Sequence, residues 1–234
     1  MTHGSQLQVQ IYANRRSGDL TKAVLDALPS LASETRKICW TVPLEHEGYA
    51  EPKDEAFLRA VGYGDLAQEL AKFWPAGGPV WDALAVVVFP DRRPGILLAE
   101  GKSYPSEFRG GGTKAGEVAR EKISQAIAST QRWLCVDDVA DLWLGDLYQS
   151  ANRLAHLYWL REVAKVEAWL VHLLFTDDYT HRGASREEWD RDLPLIDQQL
   201  GLVSQTAWAG HAYLPALAPE ELTRRAERAV PATP

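Results

Sequence analysis

Apolar residues in this chain gather most densely into two short runs, ALAVVVF at 83–89 and ILLA at 96–99, with the turn PDRRPG between them at 90–95. Short apolar runs bounded by Gly and Pro predict strands covered on both faces, and their closeness predicts an antiparallel hairpin. Before it, the pattern predicts an alternating strand over Leu7 to Ile11, a helix over Leu20 to Leu28 stopped by Pro29, and a strand over Lys37 to Val42. Residues 45–55 are polar, with Gly and Pro, and read as a connection. Helical spacing then runs from Glu55 to Phe73 through Phe57, Leu58, Val61, Leu66 and Leu70, with Gly62 and Gly64 as breaks.

Beyond the hairpin, the loop Arg109-Gly110-Gly111-Gly112-Thr113 leads into a helix over Ala115 to Leu134. A further helix is expected from an N-cap at Asp146 to about Arg161, then an apolar strand over Val166 to Phe175, punctuated by His172. Ser185, with Glu188 three residues on, caps a helix to Leu200 that Pro194 should kink or split. The tail EELTRRAERAVPATP reads as helix that frays. No repeat or low-complexity linker interrupts the 234 residues, so one domain over 1–234 is expected.

Composition narrows the function classes. At 46% hydrophobic the chain has a globular balance, and no apolar run approaches the roughly 20 residues of a membrane span. The N-terminus lacks a signal-peptide layout, so a soluble, cytoplasmic protein is expected. Cys39 and Cys135 sit in apolar stretches and make neither a disulfide framework nor a zinc knuckle, and the six histidines lack metal-ligand spacing. The net charge of −7 counts against bulk attraction to nucleic acid, although Lys102, Arg109, Lys114, Arg120 and Lys122 outnumber Glu107, Glu117 and Glu121 in one stretch.

Chemistry concentrates at the polar end of the hairpin. Asp82 opens the first strand and Glu100-Gly101-Lys102 closes the second. Glu100 and Lys102, two apart on a strand, point to one face. With the turn centred between 92 and 93, Asp82 falls opposite residue 103, and a one-residue slip decides whether it shares that face. Ionisable groups at the end of a covered sheet cost stability unless they pair or hold a metal. Two carboxylates suit Mg²⁺, which prefers oxygen ligands and keeps several waters. Lys102 would orient a metal-bound water or stabilise charge developing on a phosphate.

Asp82 followed at this spacing by Glu100-Gly101-Lys102 resembles the PD-(D/E)xK nuclease superfamily. The resemblance implies an α/β fold of restriction-endonuclease-like type, a mixed central sheet flanked by helices, with the nuclease-like core at roughly 55–178 and N- and C-terminal additions. It implies cleavage of phosphodiester bonds in DNA or RNA with Mg²⁺, for which Mn²⁺ substitutes. Asp82 and Glu100 would ligate the metal with the Gly101 carbonyl, and Lys102 would be the catalytic lysine. An acidic residue of the preceding helix, Glu69 or Asp65, would complete the site, and Gln149, Arg153 and Lys114 would contact nucleic acid. Trp81 stands where proline often precedes the aspartate, and WPAGGPV leaves little room for the strand expected there. Lys37 to Val42 would then be that strand in a rearranged order. Sequence-specific cutting would need a partner or a homodimer.

Three alternatives accompany this reading: a solvated ion cluster, a non-catalytic nucleic-acid- or protein-binding module, and a hydrolase of a small phosphorylated substrate. Other motifs carry less. A second ExK, Glu51-Pro52-Lys53, lies in a connection, and Gly101-Lys102-Ser103 fails as a P-loop because Ile96 stands where glycine is required. Gly62-Tyr63-Gly64 follows no strand and so makes a poor dinucleotide fingerprint. Thr180-His181-Arg182 reads as a solvated loop, and the nine tryptophans as core.

Overall fold

The computed structural model describes residues 3–35, 37–136, 140–202 and 207–223. The chain enters through helices α1 (Gly4–Arg15), α2 (Ser17–Ala27) and the single turn α3 (Pro29–Ala32), then strand β1 (Lys37–Val42). Helices α4 (Asp54–Ala60) and α5 (Ala67–Phe73) precede β2 (Ala83–Val88) and β3 (Gly95–Lys102). Helices α6 (Glu117–Leu134), α7 (Ala140–Leu144) and α8 (Tyr148–Tyr158) lead to β4 (Ala168–Thr176). Helix α9 (Arg186–Leu200), β5 (Ala209–Pro215) and the turn α10 (Glu220–Thr223) follow.

The result is an α/β protein with a five-stranded mixed open sheet in the order β1-β2-β3-β4-β5. β2 runs antiparallel to both its neighbours, β1 and β3, while β3–β4 and β4–β5 are parallel. All eight residues of β3 are buried, because it is central and covered on both faces. One face of the hairpin (Leu84, Ile96 and Leu98) packs with α4, α5, α6, α8 and α9 through Phe57, Leu70, Ile123, Leu154 and Trp189. The other face (Ala85, Leu97 and Ala99) packs under α1 and α2 through Val9, Tyr12, Leu20 and Val24. The sheet also takes β1 and β5, which lie before and after residues 55–178.

Three expectations need correction, and one strand went unpredicted. Leu7 to Ile11 lies inside α1 and is not a strand. Its alternation is false, because Gln8 and Gln10 are buried too; Gln8 Nε2 donates to the Leu217 carbonyl at 3.0 Å and its Oε1 accepts from Leu217 N at 2.8 Å. Asp146 is not the cap of α8, whose N-cap is Leu147. β5 was not foreseen from the sequence. Pro194 does not split α9, which runs from Arg186 to Leu200.

The Ser185–Glu188 capping box is present, and Gly62, at φ 82°, separates α4 from the next helical segment. The tail beyond Thr223 lies outside the described residues.

Candidate active site

The hairpin register sets the site. Ala83 pairs with Ala99 and Leu84 with Leu98, so Asp82, just before β2, falls opposite Glu100 and not opposite residue 103. The expected register fails because pairing ends at Val87–Gly95: Pro90 and Pro94 have no N–H to donate, and the turn centre moves toward the N-terminus. The shift puts Asp82 on the face that carries Glu100 and Lys102. The backbone N–H of Gly101 donates to Asp82 Oδ2 at 2.9 Å and locks the arrangement.

Glu100 is 4% exposed and Lys102 6%. Lys102 Nζ donates to Glu100 Oε1 at 2.9 Å. Arg153, on α8, brings Nε to 2.7 Å from Glu100 Oε2, an ion pair by distance in which the N–H is not aimed at the oxygen. Its guanidinium is held elsewhere, Nη1 donating to the Gln149 carbonyl (2.8 Å) and Asn152 Oδ1 (3.3 Å), and Nη2 to the Val80 carbonyl (3.2 Å). Arg153, expected from the sequence to contact nucleic acid, is a buried counter-ion of Glu100 in this structure.

Burial, then the Glu100 charge, pushes the Asp82 carboxyl up to about 8 against the pull of Lys102, Arg153 and the Gly101 N–H. For Glu100 burial acts upward, but Arg153 and Lys102 together outweigh it and hold the group below its ordinary value. The two carboxylates thus differ: Glu100 is the ionised one in the absence of a cation, and Asp82 the protonated one.

Two more strands extend the row. In the parallel register Glu100 pairs with His172 on β4, and His172 with His211 on β5. His172 is 1% exposed, its ring stacked on His211 at 5.1 Å between centroids and edge-on to Phe108 at 4.8 Å. Burial, with His211, Lys102 and Arg153 adding to it, holds its pKa well below the ordinary value, so the ring is neutral. His211 Nε2 lies 2.7 Å from Asp197 Oδ1. Sequence reading noticed His172 only as a break in an apolar run. Its neighbourhood depends on which strands pair, which no local pattern shows.

The remaining candidates lie elsewhere. Glu69 pairs with Lys72 on the exposed side of α5, and Asp65 lies 3.7 Å from Arg93 of the hairpin turn, at the opposite end of the strands from Glu100. Neither joins the carboxylates, and among the described residues no group of three His, Cys, Asp or Glu side chains could hold a metal ion. Gln149 is exposed in the first turn of α8, its amide carbon 3.5 Å from where a side chain on Gly110 would begin. Lys114 is exposed in the stretch before α6.

The five cations of 102–122 do not form one groove. Lys102 is buried, Arg109 donates to Gln199 Oε1 at 2.6 Å, and Lys122 donates to the Ala71 carbonyl at 2.9 Å. Glu51 accepts from Gln6 at 2.6 Å, and Thr180 tethers Gly4 N at 3.0 Å.

Gly101 has a structural reason to be glycine. A Cβ there would lie 2.7 Å from Val9 Cγ2 and 3.3 Å from both Phe175 Cε2 and Ser5 Cβ, because α1 crosses directly behind the site. No helix among the described residues is long and apolar enough to cross a membrane. No protein-family model matches the chain, and no curated protein or solved structure matches it either.

Proposed function

We propose that this chain is a divalent-metal-dependent phosphodiesterase acting on DNA or RNA, on a restriction-endonuclease-like core. One observation carries the reading: Asp82 and Glu100 face each other across the hairpin, with Lys102 on the same face. The order of elements supports it, with helices, then β1 beside the aspartate strand, then the hairpin and a helix packed at the site. β1 takes the position of the strand for which WPAGGPV leaves no room.

The donor set suits Mg²⁺, or Mn²⁺ in its place. Both carboxylates are hard oxygen ligands, and Glu100 Oε2 is buried without a directed donor. With two carboxylates and, among the described residues, no group of three His, Cys, Asp or Glu side chains to hold an ion, water would fill most of the coordination shell, which Mg²⁺ accepts readily. When bound, the ion would supply an acidified water and neutralise charge on a phosphate oxygen. Asp82 and Glu100 would hold it, and the Gly101 N–H orients Asp82. Lys102 Nζ donates to the phosphate oxygen on which charge grows. Asp82 must release its proton on cation binding, since burial keeps it protonated otherwise.

The test is a cleavage assay on single- and double-stranded DNA and RNA with Mg²⁺ or with chelator, run on wild type, Asp82→Asn and Lys102→Ala. Cleavage by wild type alone, with both variants folded by circular dichroism, is the expected result. Full activity in Lys102→Ala would remove the assigned mechanism. Salt-dependent nucleic-acid binding without cleavage, indifferent to Asp82→Asn, would favour the non-catalytic binding module, which the ion pairing of Glu100 also suits.

A further inference from the structure

We propose that Arg153 is a positioning residue that occupies Glu100 in place of a metal ion and makes cation binding depend on an anionic phosphodiester; this rests on the function proposed above. Both Glu100 oxygens already face a cation, Lys102 Nζ at 2.9 Å and Arg153 Nε at 2.7 Å. The two contacts are not alike. Lys102 makes a directed hydrogen bond to Oε1, whereas Arg153 approaches Oε2 off its N–H direction. Three other acceptors, on Gln149, Asn152 and Val80, hold the Arg153 guanidinium. Arg153 therefore remains in place when Oε2 turns to another partner, and the oxygen it neutralises is the one a cation would take.

Charge compensation then couples cation to substrate. Two buried cationic side chains, Lys102 and Arg153, pair with buried Glu100, and half-buried Asp82 lies opposite it across the hairpin, so the charges balance when both carboxylates are ionised. A divalent ion adds two positive charges to the same low-dielectric space, beside an arginine that cannot lose its proton. A phosphodiester monoanion offsets part of that excess and gives Lys102 and Arg153 a new acceptor, which frees Glu100 for the metal. By linkage each ligand then strengthens the other equally, by a factor that for coupled sites is typically about 5–150-fold.

Calorimetric titration with Mn²⁺ separates the possibilities, using dimethyl phosphate as an anion with the charge of one phosphodiester. Wild type should bind Mn²⁺ weakly alone and about fivefold or more tightly with saturating dimethyl phosphate. Arg153→Gln should bind Mn²⁺ alone more tightly than wild type and gain less from the anion. Arg153→Lys, which keeps the charge without the guanidinium fork, should stay near wild type in Mn²⁺ alone, and melting curves confirm that each variant folds. Equal Mn²⁺ affinity in wild type and Arg153→Gln, unchanged by dimethyl phosphate but lost in Asp82→Asn, would overturn the coupling and leave the metal site standing. No Mn²⁺ binding in any variant, or binding that survives Asp82→Asn, would overturn the functional reading as well.

Discussion

The backbone N–H of Gly101 donates to Asp82 Oδ2 at 2.9 Å, so the residue between Glu100 and Lys102 also fixes the carboxylate across the hairpin. Backbone and side chains of one tripeptide thereby set three of the four charged groups of the cluster in place.

Asp82 gives stability a distinctive pH slope. Its carboxyl rises from an ordinary 3.8 to about 8 on folding, because burial and Glu100 disfavour its charge. Between those values the folded chain binds a proton that the unfolded chain has lost, so stability falls as pH rises from about 4 to about 8. Asp82→Asn should remove this slope and melt higher than wild type at pH 8. Thermal melts across that range check it, and parallel curves for the two proteins would exclude the shift.

His156 acts in the opposite sense. Its Nδ1 lies 2.7 Å from the Asn152 carbonyl, which can only accept, so Nδ1 carries the proton and Nε2 is bare. The ring sits among Phe57, Trp74 and Trp81, and burial pushes its pKa from 6.5 down to about 4. Stability from keeping it neutral is present above the unfolded value and is lost as pH falls from about 6.5 through about 4. His156→Phe should flatten this acid limb while losing one hydrogen bond, worth about 1 kcal/mol at neutral pH. Urea unfolding at pH 5 and 7 measures both effects. His172, held low in the same way, keeps part of the acid sensitivity in that variant.

Gly101→Ala should destabilise the fold by about 1–3 kcal/mol through overpacking alone. The new methyl would meet Val9 Cγ2 at 2.7 Å, and Gly101 has no positive φ that would add strain. Val9→Ala should rescue much of the loss, and a double-mutant cycle by chemical denaturation reads the coupling. Additive penalties would mean that α1 does not press on Gly101.

Glu100 and Asp82 substitute for one another as counter-ions. In Glu100→Gln, burial still lifts Asp82 but the second cause, the Glu100 charge, is gone and Lys102 and Arg153 face Asp82 alone, so its pKa should drop and the pH slope from about 4 to 8 should shrink. Replacing both, Asp82→Asn with Glu100→Gln, leaves two buried cations unmatched and should cost about 3–5 kcal/mol. Lys102→Met should cost less, because Arg153 still neutralises Glu100. Denaturant midpoints order the three; a double variant as stable as wild type would show the cluster to be solvated.

The parts of this fold legible in the sequence are those whose signal is local. The apolar hairpin, the α6 periodicity and the Ser185–Glu188 capping box each announce themselves within a few residues. The site is legible in its residue types and not in its geometry. Asp82, Glu100 and Lys102 stand out by spacing, yet their shared face follows from where two prolines end the ladder. Arg153 reads as a surface contact because nothing local says that α8 turns it inward. His172 and His211 become neighbours only through two parallel pairings between strands distant in sequence. Leu7 to Ile11 misleads for the same reason, since the buried Gln8 is matched by Leu217 near the other end of the chain.

Helix α1 lies behind Gly101 and is pinned at its start by the bond from Gly4 N to Thr180, just past the end of β4. Strand β3 thus has a floor made from the first turns of α1. Cutting into α1 would loosen the surface on which Glu100 and Lys102 rest. A trimmed protein that loses activity would have lost its foundation, and such a loss would say nothing about whether those residues touch the substrate.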